Sequence, residues 1–155
     1  FGIIFLLISF YTAFNIREQS GLNFFLFIII ICIFTDIGGY VFGKTFKGPK
    51  LTRISPNKTY AGVIGSFLFS IIVGLIFLKY VDDIGFKNID QLPVLFKILF
   101  ISFISQIGDL IISYFKRKAK LKDTGKILPG HGGLLDRVDG LIFVIPVIYF
   151  LGFIK

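Results

Sequence analysis

Long apolar runs separated by short polar segments set the plan of this chain. A membrane-crossing helix needs about 20 mostly apolar residues, and five stretches meet or approach that length: 1–15, 22–43, 60–80, 93–115 and 137–154. The pattern predicts an all-α, polytopic integral membrane bundle with about five transmembrane helices, forming a single domain over 1–155. Down the third stretch Gly62, Ser66, Ser70 and Gly74 recur every fourth residue. Such a stripe lets a neighbouring backbone come close, either within the bundle or in a homodimer. Gly39 and Gly43 form a similar ridge on the second stretch. No internal repeat or low-complexity linker interrupts the plan.

Composition settles the solvent. Of 155 residues 55% are hydrophobic and 17% charged, against about a quarter charged in an ordinary domain. Mean hydropathy is +0.86. A water-soluble domain of this size leaves too much of its chain at the surface to bury so much apolar area, so the remaining solvent is lipid. The 21 Phe then fill lipid-facing and interhelical volume, and Pro146 alone among the 5 Pro falls inside a span. The lone cysteine, Cys32, has no partner for an internal disulfide and is expected to be a packing residue. The chain contains no Met and opens on Phe1 inside an apolar run. It is therefore expected to be N-terminally truncated, the C-terminal portion of a longer protein.

Charge gives the bundle a direction. The net charge is +8, from 17 Lys and Arg against 9 Asp and Glu. Loop 43–59 carries Lys44, Lys47, Lys50, Arg53 and Lys58 without an acid, and loop 116–137 carries seven bases against Asp123 and Asp136. The other two connections are balanced: Arg17 meets Glu18, and Lys79, Lys87 and Lys97 meet Asp82, Asp83 and Asp90. Five alternating helices put both basic loops on one side, which the positive-inside rule makes the cytoplasm.

Ionisable groups inside a span are costly and mark functional sites by default. Asp36 lies eight residues before Lys44, and Asp109 seven before Lys116, about 12 Å and about 10 Å from the basic helix ends. Asp139 falls in the first turns of the last span. All three therefore belong to the cytoplasmic half, around a polar cavity. Ser102, Gln106, Asp109, Ser113 and Lys116 fall at spacings of 4, 3, 4 and 3, one face of a helix. Carboxylates are hard ligands suited to Mg²⁺, which binds through one or two of them plus substrate phosphates. Lys and Arg supply counter-charge for a polyphosphate, and the Gly-rich turn Pro129-Gly130-His131-Gly132-Gly133 lets backbone N–H groups approach phosphate oxygens. The combination points to phosphoryl or nucleotidyl transfer at a membrane face. A structural salt-bridge network between helices is the alternative use of the same charges.

The run Ser113-Tyr114-Phe115-Lys116-Arg117, then Lys122-Asp123, then Leu128-Pro129-Gly130-His131-Gly132-Gly133-Leu134-Leu135-Asp136-Arg137-Val138-Asp139 closely resembles the signature of the phosphatidate cytidylyltransferases, the integral-membrane CDP-diacylglycerol synthases. Upstream, Asp36, Gly39, Tyr40, Gly43 and Lys44, followed by Ser55-Pro56-Asn57-Lys58-Thr59, resemble a second block of that family. The Gly108-Asp109 pair fits as well. The resemblance covers about 34–140. Where the family commonly reads Ser-Pro-Lys-Lys-Thr-Trp-Glu-Gly, this chain has Asn57, Tyr60 and Ala61, so one base and one acid are absent.

The resemblance implies the reaction of CTP with phosphatidate to give CDP-diacylglycerol and pyrophosphate, with Mg²⁺ and room for a second cation. It implies metal ligation by Asp109, Asp136 and Asp139, with Asp36 as a further candidate ligand. Lys116, Arg117, Asp136, Arg137 and Asp139 become the catalytic candidates. Lys44, Ser55, Lys58, Thr59, Ser113, Lys122, Asp123, His131, Gly132 and Gly133 become the substrate-binding ones. The substrates are CTP and a membrane lipid, with no nucleic-acid partner and with a homodimer as a candidate assembly. The expected location is the plasma (inner) membrane of a bacterium, with the site facing the cytoplasm. Three other readings compete: a CTP-dependent kinase of a polyprenol or other lipid alcohol, a transporter whose acids form an ion pathway, and an inactive scaffold.

Overall fold

The computed structural model describes residues 2–52, 55, 58–81, 93–120 and 135–152, and of 135–137 the backbone only. Four helices make up these residues: α1 Gly2–Phe46, α2 Tyr60–Tyr80, α3 Val94–Lys118 and α4 Leu135–Phe150. Among the described residues, extended pairing is confined to one bridge between Lys50 and Thr59. The fold is thus an all-α membrane bundle. Helices α1, α2 and α3 are long and apolar enough to cross a bilayer, and the apolar stretch Val138–Phe150 of α4 is shorter.

Helix α1 holds the first two expected spans, and the turn between them is narrower than the sequence suggested. Its 45 residues would make a straight rod of about 68 Å. Gly21 breaks it, with φ 83° and ψ 168°, a conformation open to residues without a Cβ. In a straight rod Phe5 and Asp36 would lie about 46 Å apart. Instead the Phe5 ring sits 4.7 Å from that of Phe143, centre to centre, and Asp36 shares a cavity with Asp139, one turn earlier on α4. The chain therefore folds back at Gly21. The arms 2–20 and 22–46, with α2, α3 and α4, give five helical segments.

The exposed surface of α2 shows what surrounds the bundle. Ile64, Leu68, Ile72, Leu75 and Ile76 are 45–59% exposed, an apolar face suited to lipid or to another apolar helix. Its other side is the small-residue stripe, with Gly62, Gly65, Ser66, Ser70 and Gly74 buried. A Cβ on Gly38 would stand 2.5 Å from the Gly65 carbonyl oxygen, one on Gly39 would stand 2.7 Å from Ser66 Oγ, and one on Gly74 would meet Ile98 Cδ1 at 2.7 Å. The stripe serves close crossings of α2 with the second arm of α1 and with α3, which leaves it no part in contact with a second copy. Gly108 and Gly140 do the same for α3 and α4, against Phe143 and Ser105.

Two polar details complete the frame. Pro146 lies inside α4 and offers no N–H to the carbonyl of Ile142, four residues earlier. Ser9 Oγ lies 3.0 Å from that oxygen and 2.9 Å from Phe5 O, so one hydroxyl of the first arm is shared between its own helix and the acceptor that Pro146 leaves vacant. Lys97, assigned by the sequence to the outer connection, is instead in the first turn of α3 and only 2% exposed. The helix starts directly after Pro93, which draws this residue into the bundle.

Candidate active site

The site is assembled where α1 and α3 end and α2 and α4 begin. Beyond Phe46 the chain turns through Lys47 and Gly48, at φ 52° and 98°. The two sides of the following loop are then tied together. Leu51 N donates to Lys58 O at 2.8 Å and Tyr60 N to Pro49 O at 3.2 Å. Thr59 caps α2, its hydroxyl accepting from Gly62 N at 3.1 Å, which satisfies one of the open N–H groups of a helix start. These bonds hold Lys58 above the first turn of α2 and aim its stem across the gap to α3.

There the Lys58 ammonium forms a salt bridge with Asp109, and both side chains are 25% exposed. A second pair lies deeper: Lys116 Nζ stands 3.5 Å from Asp139 Oδ2, with side chains 15% and 8% exposed. The other oxygen of Asp139 accepts from Gly140 N at 3.0 Å. The pairs join the loop to α3 and α3 to α4. Between them opens a cavity of about 740 Å³, lined by Asp36, Tyr40, Ser55, Lys58, Thr59, Gly62, Val63, Ser66, Gln106, Asp109 and Asp139 among others. Three intramembrane carboxylates from three separate helices thus face one space. Such charges persist at this depth only where partners or water offset their desolvation.

Below the carboxylates lies a shelf of hydroxyls. Thr35 Oγ1 is 2.8 Å from Ile31 O and 2.9 Å from Ser102 Oγ, and Ser66 Oγ donates to Thr35 O at 2.7 Å. The shelf ties α1, α2 and α3 together. Gln106 reaches the same region from α3, and its buried Nε2 finds no acceptor among the described residues. An unsatisfied buried donor costs about 1–3 kcal/mol.

Of the residues expected from sequence, the structure brings Asp36, Asp109, Asp139, Ser55, Lys58 and Thr59 to the cavity wall, and Lys116 to Asp139. Lys44 stands beside the wall, 3.3 Å from Tyr40 Oη and 5.5 Å from the centre of its ring. Ser113 is half-buried outside the lining, and Arg117 is exposed on the last turn of α3. Asp136 and Arg137 belong to the first turn of α4, with side chains outside the described residues, as are Lys122, Asp123, His131, Gly132 and Gly133 entirely. Sequence reasoning put Gln106 on the polar face of its helix without giving it a role in the site, and it missed Ser66 as a wall residue. Both sat in periodic stripes, but a stripe says which face is polar or small and not what lies opposite.

Among the described residues no three acidic, His or Cys side chains converge tightly enough to hold a metal ion on their own. The donor set nevertheless suits Mg²⁺, which keeps much of its water and usually takes only one or two carboxylates, with substrate phosphates completing the shell. Hard oxygens on the wall, with ammonium groups already at two of them, form a surface complementary to an anionic phosphate chain and its cation.

The sequence pattern of the cytidylyltransferase family matches residues 1–154. Similar curated proteins include the phosphatidate cytidylyltransferase of Staphylococcus haemolyticus (strain JCSC1435), 40% identical over 142 residues, which make up 91% of this chain and 53% of that protein. The phosphatidate cytidylyltransferase of Staphylococcus aureus (strain COL) is 44% identical over 135 residues, 86% of this chain and 50% of that protein. The chain spans about half the length of the curated relatives it matches.

Proposed function

The chain belongs to the cytidylyltransferase family, and from that premise we propose that it carries the catalytic site of a phosphatidate cytidylyltransferase, which joins CTP to phosphatidate and releases CDP-diacylglycerol and pyrophosphate. One observation carries the reading: two lysine–aspartate pairs, Lys58–Asp109 and Lys116–Asp139, flank a cavity that a third carboxylate, Asp36, also lines. Helices long and apolar enough to cross a bilayer surround that cavity, which suits a reaction between a water-borne nucleotide and a membrane lipid.

A phosphate oxygen of phosphatidate attacks the α-phosphorus of CTP, the new P–O bond forms in line with the breaking one, and pyrophosphate leaves. A phosphate monoester is largely ionised near neutral pH, so the attacking oxygen needs no strong base. The residues then have to position two anions and offset their charge. Lys58 and Lys116 exchange their carboxylate partners for phosphate oxygens, on stems long enough to follow them. Arg117, Arg137, Lys122 and Lys44 extend the basic surface toward the pyrophosphate, with Ser55, Thr59, Ser113, Asp123, His131, Gly132 and Gly133 completing the substrate contacts. Asp109, Asp136 and Asp139, with Asp36 beside them, would hold Mg²⁺ and, where one binds, a second cation, which supply neutralisation of charge on the reacting phosphates. The excess of bases in loops 43–59 and 116–137 supports a cytoplasmic orientation for this end of the bundle, in a bacterial plasma membrane.

The test uses the full-length protein in detergent–lipid micelles with CTP labelled at either the α- or the γ-phosphorus. Cytidylyl transfer moves the α-label into lipid and leaves the γ-label in pyrophosphate, whereas a lipid-alcohol kinase moves the γ-label. Asp109→Asn is expected to abolish α-label transfer while membrane insertion stays intact. Wild-type turnover in Asp109→Asn or in Asp136→Asn would remove the metal assignment, and γ-label in lipid would overturn the reaction.

A further inference from the structure

The hydroxyl shelf beneath the carboxylates is bonded within itself: Thr35, Ser66 and Ser102 find partners in one another and in the backbone. Ser105 Oγ and Gln106 Nε2 are the buried polar atoms without a partner among the described residues, and of these two residues Gln106 is the one on the cavity wall. It lines the cavity, yet its side-chain N–H groups meet no acceptor among the described residues. The group missing opposite it is therefore an acceptor. Gln106 precedes Asp109 by three residues on the same face of α3, so it sits about 4.5 Å further from the basic end of the helix. The wall it shares includes the aliphatic side chains of Ile37 and Val63 as well as Ser66.

A phosphatidate whose phosphate reacts at the level of Asp109 carries its glycerol esters next, in the direction of its acyl chains. Those ester carbonyls accept hydrogen bonds and donate none. The nucleobase and ribose, by contrast, belong to the water-borne substrate, which enters from the basic end of the helices and not from beneath the carboxylates. We infer that Gln106 donates a hydrogen bond from its side-chain amide to an acyl-ester carbonyl of the lipid substrate, one helical turn beneath the reacting phosphate; this rests on the reaction proposed above. Its terminal amide turns about a soft χ3 torsion, so presenting Nε2 to the cavity requires no backbone change. Gln106 is thus the residue by which the enzyme distinguishes a diacyl lipid from one joined through ethers.

The experiment compares dioleoyl phosphatidate, a diester, with its di-O-oleyl ether counterpart in micelles, at saturating CTP, using the full-length protein. The wild-type KM for the ether lipid is expected to be about tenfold higher, ~1.4 kcal/mol. In Gln106→Leu the KM for the diester rises to the ether value, while the ether KM and the KM for CTP stay where they were. Because the wild-type comparison needs no variant, misfolding of Gln106→Leu leaves the inference testable. Equal KM values for the two lipids in the wild type would overturn it. So would a Gln106→Leu variant that keeps its ester preference and loses affinity for CTP, since the amide would then serve the nucleotide. Wild-type protein that labels neither lipid would overturn the reaction and the inference together, whereas turnover without an ether penalty overturns the inference alone.

Discussion

Replacing Gly38 by Ala adds one methyl group at the tightest backbone approach in the bundle. On an isolated helix this change is favourable by about 1 kcal/mol, because Gly loses more conformational freedom than Ala on becoming helical. In this fold the added Cβ would meet Gly65 O at 2.5 Å, Phe69 Cβ at 2.8 Å and Gly65 C at 3.0 Å. Two of those neighbours are backbone atoms of α2, which cannot swing aside as a side chain can. Ordinary contact begins near 3.4 Å, so the two helices have to separate by about 0.9 Å. Overpacking of this kind costs about 1–3 kcal/mol. The expected sign is thus opposite to helix propensity, and only the close crossing supplies it.

The same displacement reaches the cavity. Gly39 and Gly43 of α1 lie against Ser66 and Thr59 of α2, so spreading the crossing moves Asp36 away from Lys58 and Thr59. Misplacement of reacting groups by about 1 Å can cost on the order of 100-fold in rate. Gly38→Ala is therefore expected to lower both the thermal midpoint in mild detergent, followed by fluorescence-detected gel filtration, and CTP turnover. Gly2→Ala, where an added Cβ meets nothing within 4 Å, serves as the comparison. A Gly38→Ala protein at least as stable as the wild type would refute the crossing geometry.

Two further pairs of substitutions test how polar groups are held. Lys116→Met should destabilise the protein more than Lys58→Met, because Asp139 is 8% exposed where Asp109 is 25% exposed; stranding a buried charge costs about 3–5 kcal/mol. Detergent melting of the two variants side by side checks the order, and equal losses would contradict it. Ser9→Ala removes the hydroxyl that reaches the carbonyl facing Pro146, at a cost of about 1 kcal/mol. Pairing it with Pro146→Ala, which restores the helix's own donor, should cancel most of that loss in a double-mutant cycle; additive losses would show that the serine acts elsewhere.

Much of this architecture was legible along the chain. Segment lengths gave the helices, and the stripe through Ser102, Gln106, Asp109 and Lys116 gave the face of α3 that meets the cavity and Asp139. Asp36, Asp109 and Asp139 stood out because a carboxylate in an apolar run demands an explanation. What stayed hidden were relations between residues distant in sequence. Ser9 answers a proline more than a hundred positions away. Gly21 in isolation reads as any loop glycine until both arms it joins are seen to reach α4. Lys97 was counted with the outer connection although it falls within the predicted span 93–115, because a charge near a span's end reads by default as a loop charge.

The two ion pairs explain how one site is both stable at rest and ready for a highly charged substrate. Carboxylates this far inside a bundle strongly favour a cation beside them. Lysines from the same chain meet that need, and both come from places with room to move: Lys58 from the loop before α2, Lys116 from the last turn of α3. Their flexible stems tolerate exchange of partner, which a guanidinium fork held in two-point contact would resist. In the proposed reaction the carboxylates would hold the cation that accompanies CTP, and the lysines they release would turn to its phosphates. Each of the four paired charges would thus trade one partner for another. On this account nucleotide and Mg²⁺ bind together far more tightly than either binds alone, because either one by itself strands half of each pair.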